Sequence, residues 1–355
     1  MTWSQRTVTI LVTTALLAFA TSCKKEDSTA GGDEGTKTPE VPKEAKTEKS
    51  ALNLGIVANA HAAPIVVGTT QGAFQKANLE VSPQVSPNYD AVLAGILDDS
   101  LDGGMLPPGL VLTAAAGQSQ RLIVPCVLSR NGSTIVLSRS TWDLLTPDLL
   151  TTGQAAIMLP INADALSVVA QSAANRGKPL AFGVESAHSS ANYLLRYWLA
   201  ASGLYPGVTE GASQVAPSHP LLQYATVDII AMTPPDIMAG LDDGLAGSAY
   251  CESSTRSNSH VTAITAHDIL KNHPSTVLAV SADWAAQHPG TLQSLIQGLN
   301  EAAKWLDGSQ ENRRQAAQDM AKVIGADASA LTEALTGSLL LADSVSVTSP
   351  DHLIF

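Results

Sequence analysis

The strongest constraint on the fold is the order of elements that begins at Leu52. Leu52-Asn53-Leu54-Gly55-Ile56-Val57 is a short apolar run of strand length. A loop at Ala58–Ala63 follows, then helical sequence from Pro64 to about Lys76. Proline suits the first turn of a helix, where its missing N–H costs nothing. Strand-like Leu79–Val85, a helix over Asp90–Asp99 and a strand opening at Asp102–Met105 extend the order to β-loop-α-β-α-β. Strands joined through helices pair in parallel, so the expectation is an α/β fold with helices on the faces of a parallel sheet.

The same alternation continues further along. Arg121–Leu128 and Thr134–Leu137 read as strands around an Arg130-Asn131-Gly132 turn. Strands are expected at Pro179–Val184, Asp228–Ala231 and Val277–Ser281, and helices at Asn192–Ser202, Pro234–Leu241 and Leu292–Asp307. The last of these puts Leu295, Leu299, Ala302 and Leu306 on one face. Residues 311–341 read as two more helices. With 355 residues, 45% of them hydrophobic, the chain can bury a large core in one large or two medium domains.

Charge narrows the partners. The net charge is −12, and no Lys/Arg cluster offsets it, which excludes a nucleic-acid partner and a broad basic face for membranes. Of the three cysteines, Cys126 and Cys251 can pair or remain small buried thiols; their spacing fits no zinc ribbon or CxxC motif.

The N-terminus reads as an export leader. Arg6 precedes a hydrophobic stretch from Val8 to Ala20, too short to span a bilayer comfortably and typical of a signal-peptide core. It ends in Ala20-Thr21-Ser22-Cys23. Small residues before a cysteine resemble a bacterial lipobox, in which the cysteine is acylated; Ala20 departs from the usual leucine. Residues 1–23 are therefore expected to be a lipoprotein signal peptide with Cys23 as the lipidation site. Residues 24–50 mix charges of both signs with Gly, Pro, Ser and Thr, and their only β-branched aliphatic residue is Val41. Such a segment buries too little apolar surface to offset its ordering entropy, and a disordered tether is expected.

Several segments, in order, carry a family resemblance. Ala62-Ala63-Pro64-Ile65-Val66-Val67 leads to Gln71-Gly72-Ala73-Phe74-Gln75-Lys76. Leu101-Asp102-Gly103-Gly104-Met105-Leu106-Pro107-Pro108, Leu128-Ser129-Arg130-Asn131-Gly132-Ser133-Thr134-Ile135 and the run from Ser190 to Ala201 follow. His273-Pro274, Ser281-Ala282-Asp283-Trp284 and Ala302-Ala303-Lys304-Trp305-Leu306-Asp307 complete the set. Over about residues 52–310 the chain resembles the nitrate/sulfonate/bicarbonate group of ABC-transporter solute-binding proteins, nearest its nitrate and bicarbonate receptors.

The resemblance implies a type II periplasmic-binding-protein fold, with two lobes, a hinge and a ligand cleft between them. Lobe 1 would hold residues 51–133 and 255–355, and lobe 2 residues 134–254. The implied protein is not an enzyme. It is an extracytoplasmic, lipid-anchored monomer on the periplasmic or cell-surface side of a bacterial membrane. There it captures a small solute, an anion of that class, and delivers it to ABC permease subunits. The alternative is a degenerate receptor that serves as a sensor or binding module without transport. No cofactor is expected; the bicarbonate receptors' calcium would need several oxygens, and no set is identifiable.

Ligands of open α/β sheets sit at the carboxyl ends of strands and at helix N-termini. The loops at such positions supply the expected ligand contacts: Asn59, His61, Pro107, Asn131, Ser133, Ser189, Ser190, Asn192, Tyr250 and Glu252. Three departures from the nitrate branch weigh against nitrate. Ser86-Pro87-Asn88-Tyr89 stands where that branch has a tryptophan, Ser133 where it has a glutamine, and Ala191 where it has a histidine. Loss of a charged donor removes about 1.5–3 kcal/mol of binding.

Overall fold

The computed structural model describes residues 47–117, 121–151, 163–210, 227–250, 260–340, 346–349 and 351–355. The chain opens with β1 (Ala51–Val57), a 3-10 turn at Ala60–Ala62, α1 (Ala63–Thr70) and α2 (Ala73–Lys76). The single helix expected at Pro64–Lys76 is thus two. Gly72 sits at φ 73° between them, a left-handed conformation that breaks the helical ladder. β2 (Glu80–Ser86), α3 (Tyr89–Leu97), β3 (Gly103–Leu106), α4 (Pro108–Gly117) and β4 (Leu122–Asn131) follow.

The chain then crosses to β5 (Thr134–Ser138), α5 (Arg139–Thr151), α6 (Ser167–Asn175), β6 (Leu180–Val184) and α7 (Ser190–Ala201). β7 (Pro206–Glu210), β8 (Val227–Ala231), α8 (Pro234–Asp243), β9 (Gly247–Tyr250) and β10 (His260–Thr265) complete this part. After α9 (Ala266–Ile269) come β11 (Pro274–Ser281), α10 (Ala282–Gln287), α11 (Pro289–Gly308), α12 (Gln310–Ile324) and α13 (Ala328–Thr336). The chain ends in β12 (Ser338–Leu340), β13 (Ser346–Thr348) and β14 (Leu353–Ile354).

Two six-stranded sheets organise the molecule, with orders β14-β4-β11-β3-β1-β2 and β10-β5-β9-β6-β8-β7. Both are mixed rather than parallel throughout. β1 is parallel to β2 and β3, whereas β11 runs antiparallel to β3 and β4. In the second sheet β6, β7, β8 and β9 are mutually parallel, and β5 runs antiparallel to both of its neighbours, β9 and β10. The strands that run against their neighbours, β5 and β11, are the ones that follow the two crossings between sheets. The return crossing, expected at residue 255, follows Thr265, because His260–Thr265 pairs with β5.

Each sheet packs its own core. Leu54, Ile56, Ile65, Phe74, Leu278 and Leu295 lie in the first, and Leu137, Leu166, Phe182, Leu195 and Trp198 in the second. Ile237, Leu241 and Leu245 of the α8 region join the first cluster, so apolar packing runs continuously from one sheet to the other.

The end of the segment expected as a tether is built into the fold. Glu48 accepts hydrogen bonds from the Gly290 and Thr291 amides at 3.1 and 2.8 Å, at the start of α11. Those amide bonds, first the one from Thr291, hold its carboxyl down to a pKa of about 2. Lys49 Nζ lies 2.6 Å from Asp102 Oδ1. Among the described residues no helix is long and apolar enough to cross a membrane. Cys23 and residues 24–46 lie outside the described residues.

Candidate functional site

The carboxyl ends of β1 and β2 in the first sheet, and of β6 and β8 in the second, lead into loops that meet. Three contacts cross between the two sheets' parts, from Asn59 to Glu185, from Ser190 to Pro274 and from Gly109 to the α7 entry. Asn59 Nδ2 donates to Glu185 Oε1 at 3.2 Å and to the Tyr89 hydroxyl at 2.8 Å. Ser190 Oγ donates to the Pro274 carbonyl at 2.9 Å. A Cβ added at Gly109 would fall 2.6 Å from the His188 carbonyl oxygen and 2.7 Å from Tyr193 Cε2, so only glycine permits this approach of α4 to the α7 entry.

Beside this seam lies an open cavity of about 870 Å³. Its walls come from the ends of β1 (Val57) and β2 (Val85), the start of α8 (Pro234, Met238) and the turn between α12 and α13 (Ile324, Asp327). Both sheets therefore contribute to one concave space at their strand ends, the usual place for a ligand in open α/β sheets.

The ten expected ligand residues separate into groups. Asn59 is at the seam, fully buried; its Oδ1 also accepts the His61 amide at 3.1 Å and caps the short turn. Ser189, Ser190 and Asn192 are at the α7 entry, but their polar atoms are engaged. Ser189 Oγ caps the Asn192 amide at 3.1 Å and donates to Ser186, and Asn192 Nδ2 donates to the Ala187 carbonyl at 2.6 Å. Pro107 immediately precedes α4, its carbonyl accepting the Leu110 amide at 3.0 Å. Tyr250 ends β9, paired with Thr134. Glu252 and Cys251 lie outside the described residues.

Asn131 and Ser133 sit in the first crossing, and His61, in the 3-10 turn after β1, packs against it. His61 Nδ1 is 2.8 Å from Ser129 Oγ, which lies 2.8 Å from Thr276 Oγ1. The Asn131 amide donates to the His273 carbonyl at 3.0 Å, Asn131 Nδ2 to the Asp351 carbonyl at 2.8 Å, and Ser275 Oγ to the Asn131 carbonyl. Gly132 N–H donates to the His352 carbonyl at 2.5 Å, and the Ser133 carbonyl accepts the Ala266 amide at 2.8 Å. Asn131 and Gly132 both take positive φ, 58° and 85°, to make this turn. A side chain at Gly132 would also strike His61 and Leu353. The turn therefore locks both crossings and the C-terminal segment together.

Burial controls the histidines here. It pushes His61 down to a pKa of about 3, helped by the nearby His273 and His352, and pushes His352 down to about 4, helped by Arg313. Burial lowers His273 as well. All three are neutral near pH 7 and give the crossings no positive charge.

Glu185 is the site residue that sequence reading missed. It follows β6 directly, at the strand-end position that makes a loop residue a ligand candidate, and that position was the available signal. Ser248, Thr134 and Thr262 do not line the cavity. They share one face of adjacent strands, and their buried hydroxyls have no hydrogen-bond partner among the described residues. Among the described residues no cluster of three His, Cys, Asp or Glu side chains could hold a metal ion.

Two sheets joined by two crossings, with a concave space at their strand ends, define the two-lobed periplasmic-binding-protein fold. The periplasmic nitrate-binding protein NrtA of Synechocystis shares it at a TM-score of 0.70 and 17% identity, over 87% of this chain and 76% of that one. The alkanesulfonate-binding protein SsuA of Xanthomonas axonopodis aligns at a TM-score of 0.56 and 15% identity, over 81% of this chain and 84% of that one. The chain belongs to the NMT1-like family, whose profile matches residues 45–321.

Among curated proteins, the bicarbonate transport ATP-binding protein CmpC of Synechocystis is 29% identical over 269 residues, 73% of this chain and 35% of that protein. The bicarbonate-binding protein CmpA of Synechococcus elongatus is 26% identical over 288 residues, 78% of this chain and 57% of that protein. The chain thus spans between about a third and three-fifths of these relatives' lengths.

Proposed function

We propose that this protein is the extracytoplasmic solute-binding component of an ABC importer, binding one small solute between its lobes without turnover. The observation that carries the reading is the 870 Å³ cavity, walled by strand-end loops of both sheets. A ligand there touches both lobes at once and so favours whichever arrangement completes its contacts. The partners are ABC permease subunits, which receive the solute from a monomeric receptor held at the membrane by acylated Cys23. Relatives named for nitrate, bicarbonate and alkanesulfonate make small anions the first ligands to test.

A second reading, a receptor that binds without transport, is favoured by one feature. Ser133 and Ala191 stand where the resemblance calls for a glutamine and a histidine at the anion, and Ser133 is buried at the crossing.

A melting-curve screen of the full chain against a broad solute panel tests the receptor reading. A solute at 100 times its Kd should stabilise by about 2.7 kcal/mol. A panel in which nothing shifts the melting curve counts against both readings. A binding solute whose uptake is unchanged by deletion of the gene leaves only the second. Mass spectrometry of the mature N-terminus reports directly on Cys23.

A further inference from the structure

The chemistry of the cavity is opposite to what a small oxyanion needs. Among the described residues that line it none is Lys, Arg or His, and the one charged side chain is Asp327. Three helix ends meet there, and none offers an anion site. α8 begins with Pro234 and Pro235, which carry no N–H, so two of the amides a helix N-terminus usually presents are missing. Its next residue, Asp236, adds a carboxylate, bonded to Thr233 Oγ1 at 2.5 Å. At α13 the Ser329 and Ala330 amides are already taken by Asp327 Oδ1, at 2.8 and 2.9 Å. α12 presents its C-terminus, the negative end of the helix dipole, through Ile324 and Gly325. Lys322, in that last turn, points away to Asp319 at 3.4 Å and is largely exposed.

Apart from Ser86 and Thr233, whose hydroxyls are the remaining polar side-chain groups, the walls are apolar: Val57, Val85, Pro87, Met238, Ile324 and Ala326 among them. At about 870 Å³ the space suits an organic molecule rather than a three-oxygen ion. At the adjoining seam the charged group is again a carboxylate, Glu185, held by Asn59.

We infer that the solute of this cavity is an organic cation with an apolar body, its positive head directed to the Asp327 carboxylate and the carbonyl end of α12. This rests on the receptor reading and narrows its ligand class.

The test is calorimetric titration of the full chain with two matched probes, n-hexylammonium and n-hexanesulfonate, together with nitrate and bicarbonate. The two organic probes share a body and differ in head charge. Hexylammonium is expected to bind at least about tenfold more tightly than hexanesulfonate, the factor set by ~1.4 kcal/mol of head-group electrostatics. D327N keeps the helix cap, since asparagine caps as well as aspartate, and should reduce that preference several-fold. Ala330→Trp, which fills the cavity wall, should abolish binding while leaving the circular dichroism spectrum unchanged.

Tighter binding of hexanesulfonate, or titration by nitrate or bicarbonate alone, overturns the cation assignment and leaves the receptor reading standing. Hexylammonium binding that neither variant alters places the probe elsewhere and overturns the inference too. If no probe binds, the cation inference fails, and the broader solute panel judges the receptor reading independently.

Discussion

At the scale of single residues, buried polar groups set how this protein responds to pH and substitution. His61 and His352 have folded pKa values near 3 and 4, below the ordinary 6.5, because burial disfavours their charged forms. Below pH 6.5 the unfolded chain therefore takes up protons that the folded chain refuses. Their contribution to stability is complete above pH 6.5 and declines as pH falls toward 4 and then 3. Each adds up to about 1.4 kcal/mol of loss per pH unit in that window. Urea midpoints measured from pH 7 to 4 should fall, and His61→Gln should flatten the decline.

Asp102 is a second residue-scale case. Its buried carboxylate accepts from Trp284 Nε1 at 2.8 Å and the Asn53 amide at 2.9 Å. Lys49, half-exposed, adds a further contact. Asp102→Leu strands two donors and is expected to cost roughly 3 kcal/mol in chemical denaturation.

At the scale of elements, close approach is what the glycines permit. Phe74 lies between Gly68 of α1 and Gly298 of α11, and a Cβ at either glycine would collide with its ring. Gly298→Ala should destabilise by about 1–3 kcal/mol, visible as a lower Tm, despite alanine's better helix propensity. Arg313 performs the opposite task by filling space with donors. From α12 it reaches the carbonyls of Leu306, Leu335 and Leu353, together with Asp307. It thereby pins α11, α13 and β14 to one another. Arg313→Met leaves those carbonyls unpaired inside the fold, and a loss of about 3 kcal/mol in denaturant unfolding is expected.

At this scale the sequence was legible wherever an element carries its own period. Leu295, Leu299, Ala302 and Leu306 form the buried face of α11 as their spacing requires. β1, β2 and β3 form where short apolar runs stand between turns. The break at Gly72 was not legible, because the residues on both sides favour a helix. β10 was not legible either: its membership of the second sheet depends on pairing with a strand more than 100 residues away, between Thr134 and Ser138.

For the whole molecule, the decisive contacts are those between the loops of the two sheets. Asn59 joins β1's exit to β6's exit through Glu185, and Ser190 ties α7 to the start of β11. The bonds to Glu185 and from Ser190 to Pro274 exist only when the loops of the two sheets meet, so they favour that arrangement. Asn59→Ala should shift small-angle scattering of the ligand-free protein toward a larger radius of gyration. Its Tm should fall as well, by the equivalent of about 2–3 kcal/mol, because fully buried Asn59 also bonds the Tyr89 hydroxyl and the His61 amide.

The sequence by itself determined the α/β class and the acidic composition, because periodicity and composition are properties of neighbouring residues, whereas two lobes came only as what the family resemblance implies. It also marked the strand-end loops as the place where a ligand belongs. Only the tertiary structure decided where those loop residues go, and among the described ones none of the expected contacts lines the cavity. His61 and Asn131 were equivalent to Asn59 as loop residues, yet packing placed Asn131 in the first crossing and His61 against it. Glu185 drew no notice until folding set it against Asn59. The cavity's character was likewise a matter of assembly. Pro234, Asp327 and Gly325 each end or begin a helix for local reasons, and their joint exclusion of anions appears only where three helix ends converge, since an electrostatic field is the sum of groups that the chain keeps far apart in sequence.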